Sequence, residues 1–225
     1  MDRRILCGTL CAAMAKGADT RIALMRAAER LFSKNGVAAV SLREVASEAG
    51  QRNVSAVLYH FGTKVELLEC VLERHSDPIQ KVCAERVNRW QNDASVTMRD
   101  VIELLVSELI KKLDDPDGGR AYLALCAQLA ASPDFPLTER RAAQAPGAMQ
   151  LSAKLLSFSA PIPPQVFPLR MMRFANILYL SFADYIRVSN AGFAIPREIF
   201  FEELTGALAA VVTGPILAPL SQSHP

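Results

Sequence analysis

Histidine is scarce in this chain of 225 residues: only His60, His75 and His224 occur. No Gly-x-Ser-x-Gly elbow, no His-Glu-x-x-His pair and no glycine-rich phosphate loop is present, which removes the common hydrolase, zinc-peptidase and nucleotide-binding chemistries. The cysteines Cys7, Cys11, Cys70, Cys83 and Cys126 are odd in number and scattered. Neither a disulfide framework nor a zinc pattern follows, and free thiols in a reducing cytoplasm are the simple account. Cys70 and His75 are five apart, a poor same-face spacing on a helix, and Cys7 with Cys11 would offer a metal only two ligands. Carboxylate pairs such as Asp114-Asp115 read as solvated loop. No enzyme, metal site or cofactor is therefore expected. Also missing is any run of about 20 apolar residues that could span a bilayer. No alternating strand pattern closes on a hairpin turn, and Asn35-Gly36 follows a helical pattern and reads as a helix end. What remains is a soluble, globular, all-α chain.

Half of the residues are apolar (51%), enough for a sizeable core. Net charge is only +2, but its distribution is uneven: residues 1–75 hold eleven Lys/Arg against eight Asp/Glu, and the remainder fourteen against fifteen. A mildly basic first third on a near-neutral body suits a nucleic-acid-reading head on a ligand-binding or oligomerising body. Residues 2–15 imitate a secretory leader, with a basic start, a short apolar run and an Ala-x-Ala exit. A DNA-binding head follows directly and has no use outside the cell. The expected reading of 1–18 is a flexible arm, with an extra short helix or an overcalled start as alternatives.

From residue 20 the periodicity is helical. Asp19 or Thr20 caps a first helix with Ile22, Leu24, Met25, Ala28, Leu31 and Phe32 on its apolar stripe, closed by Gly36. Ser41-Leu42-Arg43-Glu44 is a capping box opening a second helix that buries Val45, Ala46 and Ala49. Asn53 caps a third, carrying Val54, Val57, Leu58 and Phe61 and stopped by Gly62. Thr63-Lys64-Val65-Glu66 is a second capping box, and its helix is expected to end near His75, before Asp77-Pro78. Helices are then expected over about 79–92, 97–114, 118–132, 139–157, 164–189 and 197–213. Asp115-Pro116-Asp117-Gly118, Ser132-Pro133-Asp134-Phe135-Pro136 and Ala160-Pro161-Ile162-Pro163-Pro164 act as breaks between them. The expected division is an arm (1–18), a three-helix head with a helix-turn-helix and a connecting fourth helix (19–75), a helical ligand-binding and dimerisation domain (76–214) and a frayed tail (215–225).

Arg21-Ile22, Ala27-Ala28, Leu31-Phe32, Gly36, Ser41, Val45-Ala46, Ala49-Gly50, Tyr59-His60-Phe61, Lys64 and Leu67-Leu68 follow one another in an ordered pattern. With it the stretch 20–75 resembles the DNA-binding domain of the TetR (tetracycline-repressor) family of transcriptional regulators. The resemblance covers about a quarter of the chain. It departs from the usual pattern in a turn one residue longer, Gln51-Arg52-Asn53, and in Ser55-Ala56 on the recognition helix. It implies a repressor released from a palindromic operator by a small molecule. An activator or an architectural DNA-binding protein of the same fold, or a helical interaction module that reads no DNA, are the alternatives.

The physics of the head gives its own site residues. A helix fits the major groove with its first turn against base edges. Here that turn is Asn53-Val54-Ser55-Ala56: Ser55 can hydrogen-bond a base edge or phosphate, and Ala56 can touch a thymine methyl. Tyr59 and His60 can donate to phosphates or be plain surface residues. Lys64, at the first turn of the fourth helix, adds a cation to free amides and the positive helix end. Ser41 offers the same at the second helix, and Arg43 and Arg52 lie within reach of the backbone. One head reads too few base pairs for specificity, so two are expected, with half-sites about 34–36 Å apart. Helices 164–189 and 197–213 are too apolar to leave exposed, and the resembled family pairs such helices across a dimer. Trp90, Leu105, Tyr122, Leu125, Cys126, Phe174, Leu178 and Tyr179 are the expected lining of an effector pocket, with unliganded core as the plainer reading of each.

Overall fold

A computed structural model describes residues 3–91, 93–132, 146–158, 163 and 166–215, without the side chains of 3–16 and 146. Among them stand nine α-helices: α1 Arg3–Asn35, α2 Leu42–Glu48, α3 Ser55–Phe61, α4 Lys64–Arg89, α5 Met98–Ile110, α6 Gly119–Ala130, α7 Pro146–Phe158, α8 Val166–Asn190 and α9 Arg197–Thr213. One turn of 3₁₀-helix, Lys111–Leu113, extends α5. The fold is all-α, and among the described residues it contains no strand. The tail 216–225, His224, the side chains of Cys7 and Cys11, most of both proline-rich breaks and the first residues of the expected helix 139–157 lie outside the described residues.

The head is α1, α2, α3 and the start of α4. Leu24, Ala27, Ala28 and Phe32 on α1 pack against Val45, Ala46, Val57, Phe61, Leu67, Leu68 and Val71, all buried. The same apolar cluster runs on through α5, α6, α8 and α9 to Val212, so head and body share one core. In the body α6 lies along α8, α4 along α7, and α9 against both α8 and α5. Arg170 on α8 is buried, and its guanidinium donates to the carbonyls of Val212 (2.5 Å) and Gly214 at the end of α9. A cation on the last carbonyls of a helix satisfies groups with no intrahelical partner and meets the negative end of the dipole.

Three sequence expectations are corrected. Helix α1 starts at Arg3, not at Asp19 or Thr20, so most of the segment expected as an arm is helical. Helix α4 does not end before Pro78 but carries it inside, so the division after His75 falls within one continuous helix. Proline removes a single rung, whereas Val71, Leu72, His75, Ser76, Ile79 and Cys83 on both sides of it are buried. Packing outweighs the lost hydrogen bond. The N-cap of α3 falls on Val54, whose side chain makes no capping bond, and not on the expected Asn53.

Candidate functional site

The turn between α2 and α3 and the start of α3 form the exposed tip of the head. Ser41 caps α2 as the capping box requires: its amide donates to Glu44 Oε2 (2.7 Å), and the Glu44 amide donates back to Ser41 Oγ (3.2 Å). The Ser41 amide, and then its hydroxyl, hold the Glu44 carboxyl below its ordinary pKa. Thr63 and Glu66 repeat the box at α4, with the Thr63 amide 2.8 Å from Glu66 Oε2. Gly62, between α3 and α4, sits at φ +71°, where a Cβ would also meet Glu66 Oε2 at 2.7 Å. Glycine is what lets this tight turn carry a capped helix. Helix α3 begins at Ser55, and Asn53 turns the chain into it by accepting the Ser55 amide on Oδ1 (3.0 Å).

The side chains named from the sequence fall around this tip. Arg43, Arg52, Asn53 and Ser55 are exposed and Ala56 is half-buried. Tyr59 is 85% exposed, and its ring stands edge-on to His60 at 5.1 Å. His60 is half-buried beside Phe61. Lys64 sits in the first turn of α4, and its Nζ donates to the Ala38 carbonyl (3.2 Å) in the α1–α2 loop. The lysine thus ties two head segments together, a link that no periodicity announces. Arg30 bridges to Glu48 (3.0 Å) and fixes α2 against α1. Arg21 lies over the Phe61 ring and donates to Cys70 Sγ (3.2 Å); burial pushes the Cys70 thiol above its ordinary pKa.

Where head meets body lies a polar cluster that the sequence reading missed. Glu29 of α1 is 2% exposed. It accepts from Arg74, and His75 Nε2 lies 2.6 Å from its Oε1. His75 Nδ1 faces Lys112 Nζ (3.3 Å), and the ring stacks on Tyr122 (4.8 Å). Arg74 also holds Asp117 (2.8 Å), which Arg26 grips at 2.7 Å. The Arg26 hydrogen bond, joined by Arg74, brings the Asp117 carboxyl down to about 2. Asp115 pairs with Lys112 (2.8 Å), and Asp114 with Arg197 at the start of α9 (2.6 Å). Gly118 at φ +92° passes so close to Glu29 that a Cβ would overlap the carboxylate. Asp114 stays exposed in a loop, as expected, whereas Asp115 is partly buried, and their ion pairs make 114–118 a knot that joins α1, α4 and α9.

On its other half α4 borders a half-open cavity of about 210 Å³ that it shares with α5, α7 and α8. Leu105, Phe174, Leu178 and Tyr179 line it; Trp90, Tyr122, Leu125 and Cys126 do not. Tyr122, Leu125 and Cys126 are core of α6, and Trp90 stands at the end of α4 beneath Arg86. Helical spacing marks which residues face inward, but not which inward residues border a void. Ile79, Gln80, Cys83, Leu151 and Leu155 are lining residues that the sequence reading did not single out. Among the described residues no three His, Cys, Asp or Glu side chains converge as a metal site requires, and no helix is long and apolar enough to cross a membrane.

Residues 24–71 match the family model described as "Bacterial regulatory proteins, tetR family". The HTH-type transcriptional regulator TtgR of Pseudomonas putida is 29% identical over 92 residues, which are 41% of this chain and 43% of that regulator. The match thus spans less than half the length of the curated relative. Among solved structures, a tetR family transcription regulator from Shewanella sp. PV-4 superposes with a TM-score of 0.60 at 15% identity, covering 84% of this chain and 95% of the other. Mycobacterium smegmatis AmtR gives 0.51 at 19% identity over 83% and 84%. The head, over residues 24–71, is thus similar to the tetR family of bacterial regulatory proteins, and the chain shares its all-helical fold with these solved structures.

Proposed function

We propose that this chain is a homodimeric transcriptional regulator of the cytoplasm, a repressor that leaves a palindromic operator when a small molecule occupies the cavity. The observation that carries the reading is the tip of the head. The first turn of α3 is exposed with small polar side chains, Arg43 and Arg52 are exposed in the same head, and α2 and α4 both start with capped turns, the latter carrying Lys64. Asn53, Ser55 and Ala56 read base edges. Ser41, Arg43, Arg52, Tyr59, His60 and Lys64 hold phosphates, which set register and strength but not sequence. Lys64 uses one of its three N–H donors on Ala38, and the other two remain for a phosphate.

The body supports the second half of the proposal. Leu169, Met172 and Leu180 on α8 and Ile199 on α9 are exposed, and Gly206 and Ala210 lie on the outer face of α9. A second copy laid on this face as a four-helix bundle covers the apolar side chains, and the small residues admit close approach. A ligand between α4 and the body favours one setting of α4 over another, and the heads turn with it.

Selection of duplexes from a random pool tests the reading. A palindromic consensus with half-site centres about one helical turn apart is expected. Lys64→Glu weakens binding by about tenfold or more and flattens its salt dependence. No affinity for any duplex at low ionic strength overturns the proposal.

A further inference from the structure

The exposed side of α3 carries one side chain that the fold does not use. Val57 and Phe61 point into the core of the head and are 1% and 6% exposed. Ala56 is half-buried and packs against the same core. Ser55, Leu58 and Tyr59 stand on the other side, all exposed, and a spacing of three and four residues puts them on one helix face. Leu58 lies there between a hydroxyl and a phenol and is 49% exposed. The inward positions of α3 are already filled without it.

If α3 enters the major groove of an operator, the proposal on which this inference rests, Leu58 meets base edges about 4.5 Å further along the helix axis than Ser55. Leucine has neither donor nor acceptor, so it can hold no phosphate and can hydrogen-bond no base. In the major groove adenine, guanine and cytosine are marked by hydrogen-bonding groups, and thymine adds a methyl group at C5. A donor or acceptor pressed against Leu58 loses its water and gains no partner. The thymine methyl gains by leaving water.

We infer that Leu58 is a specificity-determining residue that selects one thymine in each operator half-site by packing on its 5-methyl group. Arg43, Arg52 and Lys64 grip the backbone whatever the base, whereas this contact carries sequence. It attracts thymine and, by desolvation, rejects the other three bases at the same position.

Selection from a random duplex pool first defines the half-site. Each of its thymines is then replaced in turn by deoxyuridine, which lacks only the methyl group, and binding of the full-length protein is followed by fluorescence anisotropy. At one thymine the replacement is expected to weaken binding about fourfold in a single half-site and about fifteenfold in both. Leu58→Ala is expected to lose about the same affinity on the thymine duplex and to bind the thymine and uracil duplexes equally. A second selection with Leu58→Gln is expected to move the consensus away from thymine at that position alone. A uracil penalty that survives Leu58→Ala overturns the inference. So does a half-site in which no thymine methyl matters, or a consensus that Leu58→Gln leaves unchanged. In each of these cases the operator reading stands. A protein that selects no duplex overturns the operator reading itself, and Leu58 as a base reader with it.

Discussion

Helix α4 has two unlike neighbourhoods on either side of Pro78. Before it, Arg74 and His75 face a buried carboxylate, a lysine and the 114–118 knot, with side-chain contacts between 2.6 and 3.3 Å. After it, Ile79, Gln80 and Cys83 face a void whose described walls carry no charged side chain. Charged hydrogen bonds are short, directional and intolerant of displacement. An apolar surface slides at little cost so long as it stays covered. One end of the helix is therefore fixed to the head by geometry, and the other is free to respond to what fills the cavity.

The largest expected effect comes from cutting the fixed end. Glu29→Ala leaves His75 without its buried carboxylate, while Arg74 keeps Asp117 and Lys112 keeps Asp115. A loss of about 3 kcal/mol in urea unfolding is expected, and an unchanged midpoint would break the contrast drawn here. Gly118→Ala follows at about 2 kcal/mol, because it forces both a left-handed backbone and a collision with Glu29. Pro78→Ala restores a helix rung and is expected to raise stability by about 1 kcal/mol. The same change should reduce the ratio of operator affinities without and with effector, since a stiffer α4 yields less; gel shifts at saturating ligand measure it.

The smallest effect is a matter of pH. The folded Asp117 carboxyl lies near 2, against 3.8 for an unperturbed aspartate. A depressed folded pKa contributes stability above the unfolded value and loses it as the pH falls from about 4 towards 2. Asp117 is half exposed, so solvent screening keeps the contribution small. Asp117→Asn should flatten the acid limb of the stability profile between those values and leave the rest of the profile alone.

The head was legible because its signals are local. Ser41 with Glu44 and Thr63 with Glu66 mark helix starts by chemistry that needs no tertiary contact, and both boxes form as written. Helix α9 occupies the residues expected of it because Pro196 and Gly214 bound a run rich in Phe, Leu, Ala and Val. Pro78 misled because a local rule about proline was applied where buried side chains on both flanks decide the outcome. The residues around the cavity were half legible: Phe174 and Leu178 share their inward spacing with Leu125 and Cys126, and only the placement of α7 beside α4 separates lining from core. Glu29 and His75 were illegible as partners, since 46 positions of sequence separate them and each alone looks like a stray polar residue on an apolar stripe.

Arg170 locks the end of α9 onto α8 from inside the core. In the proposed dimer the two helices of each protomer therefore move as a single plate, with no scissoring between them. A twist between plates has no soft joint in which to dissipate, and through Arg197 and Asp114 it arrives at the 114–118 knot. Each subunit would then register its mate's state as a torque on its own α1.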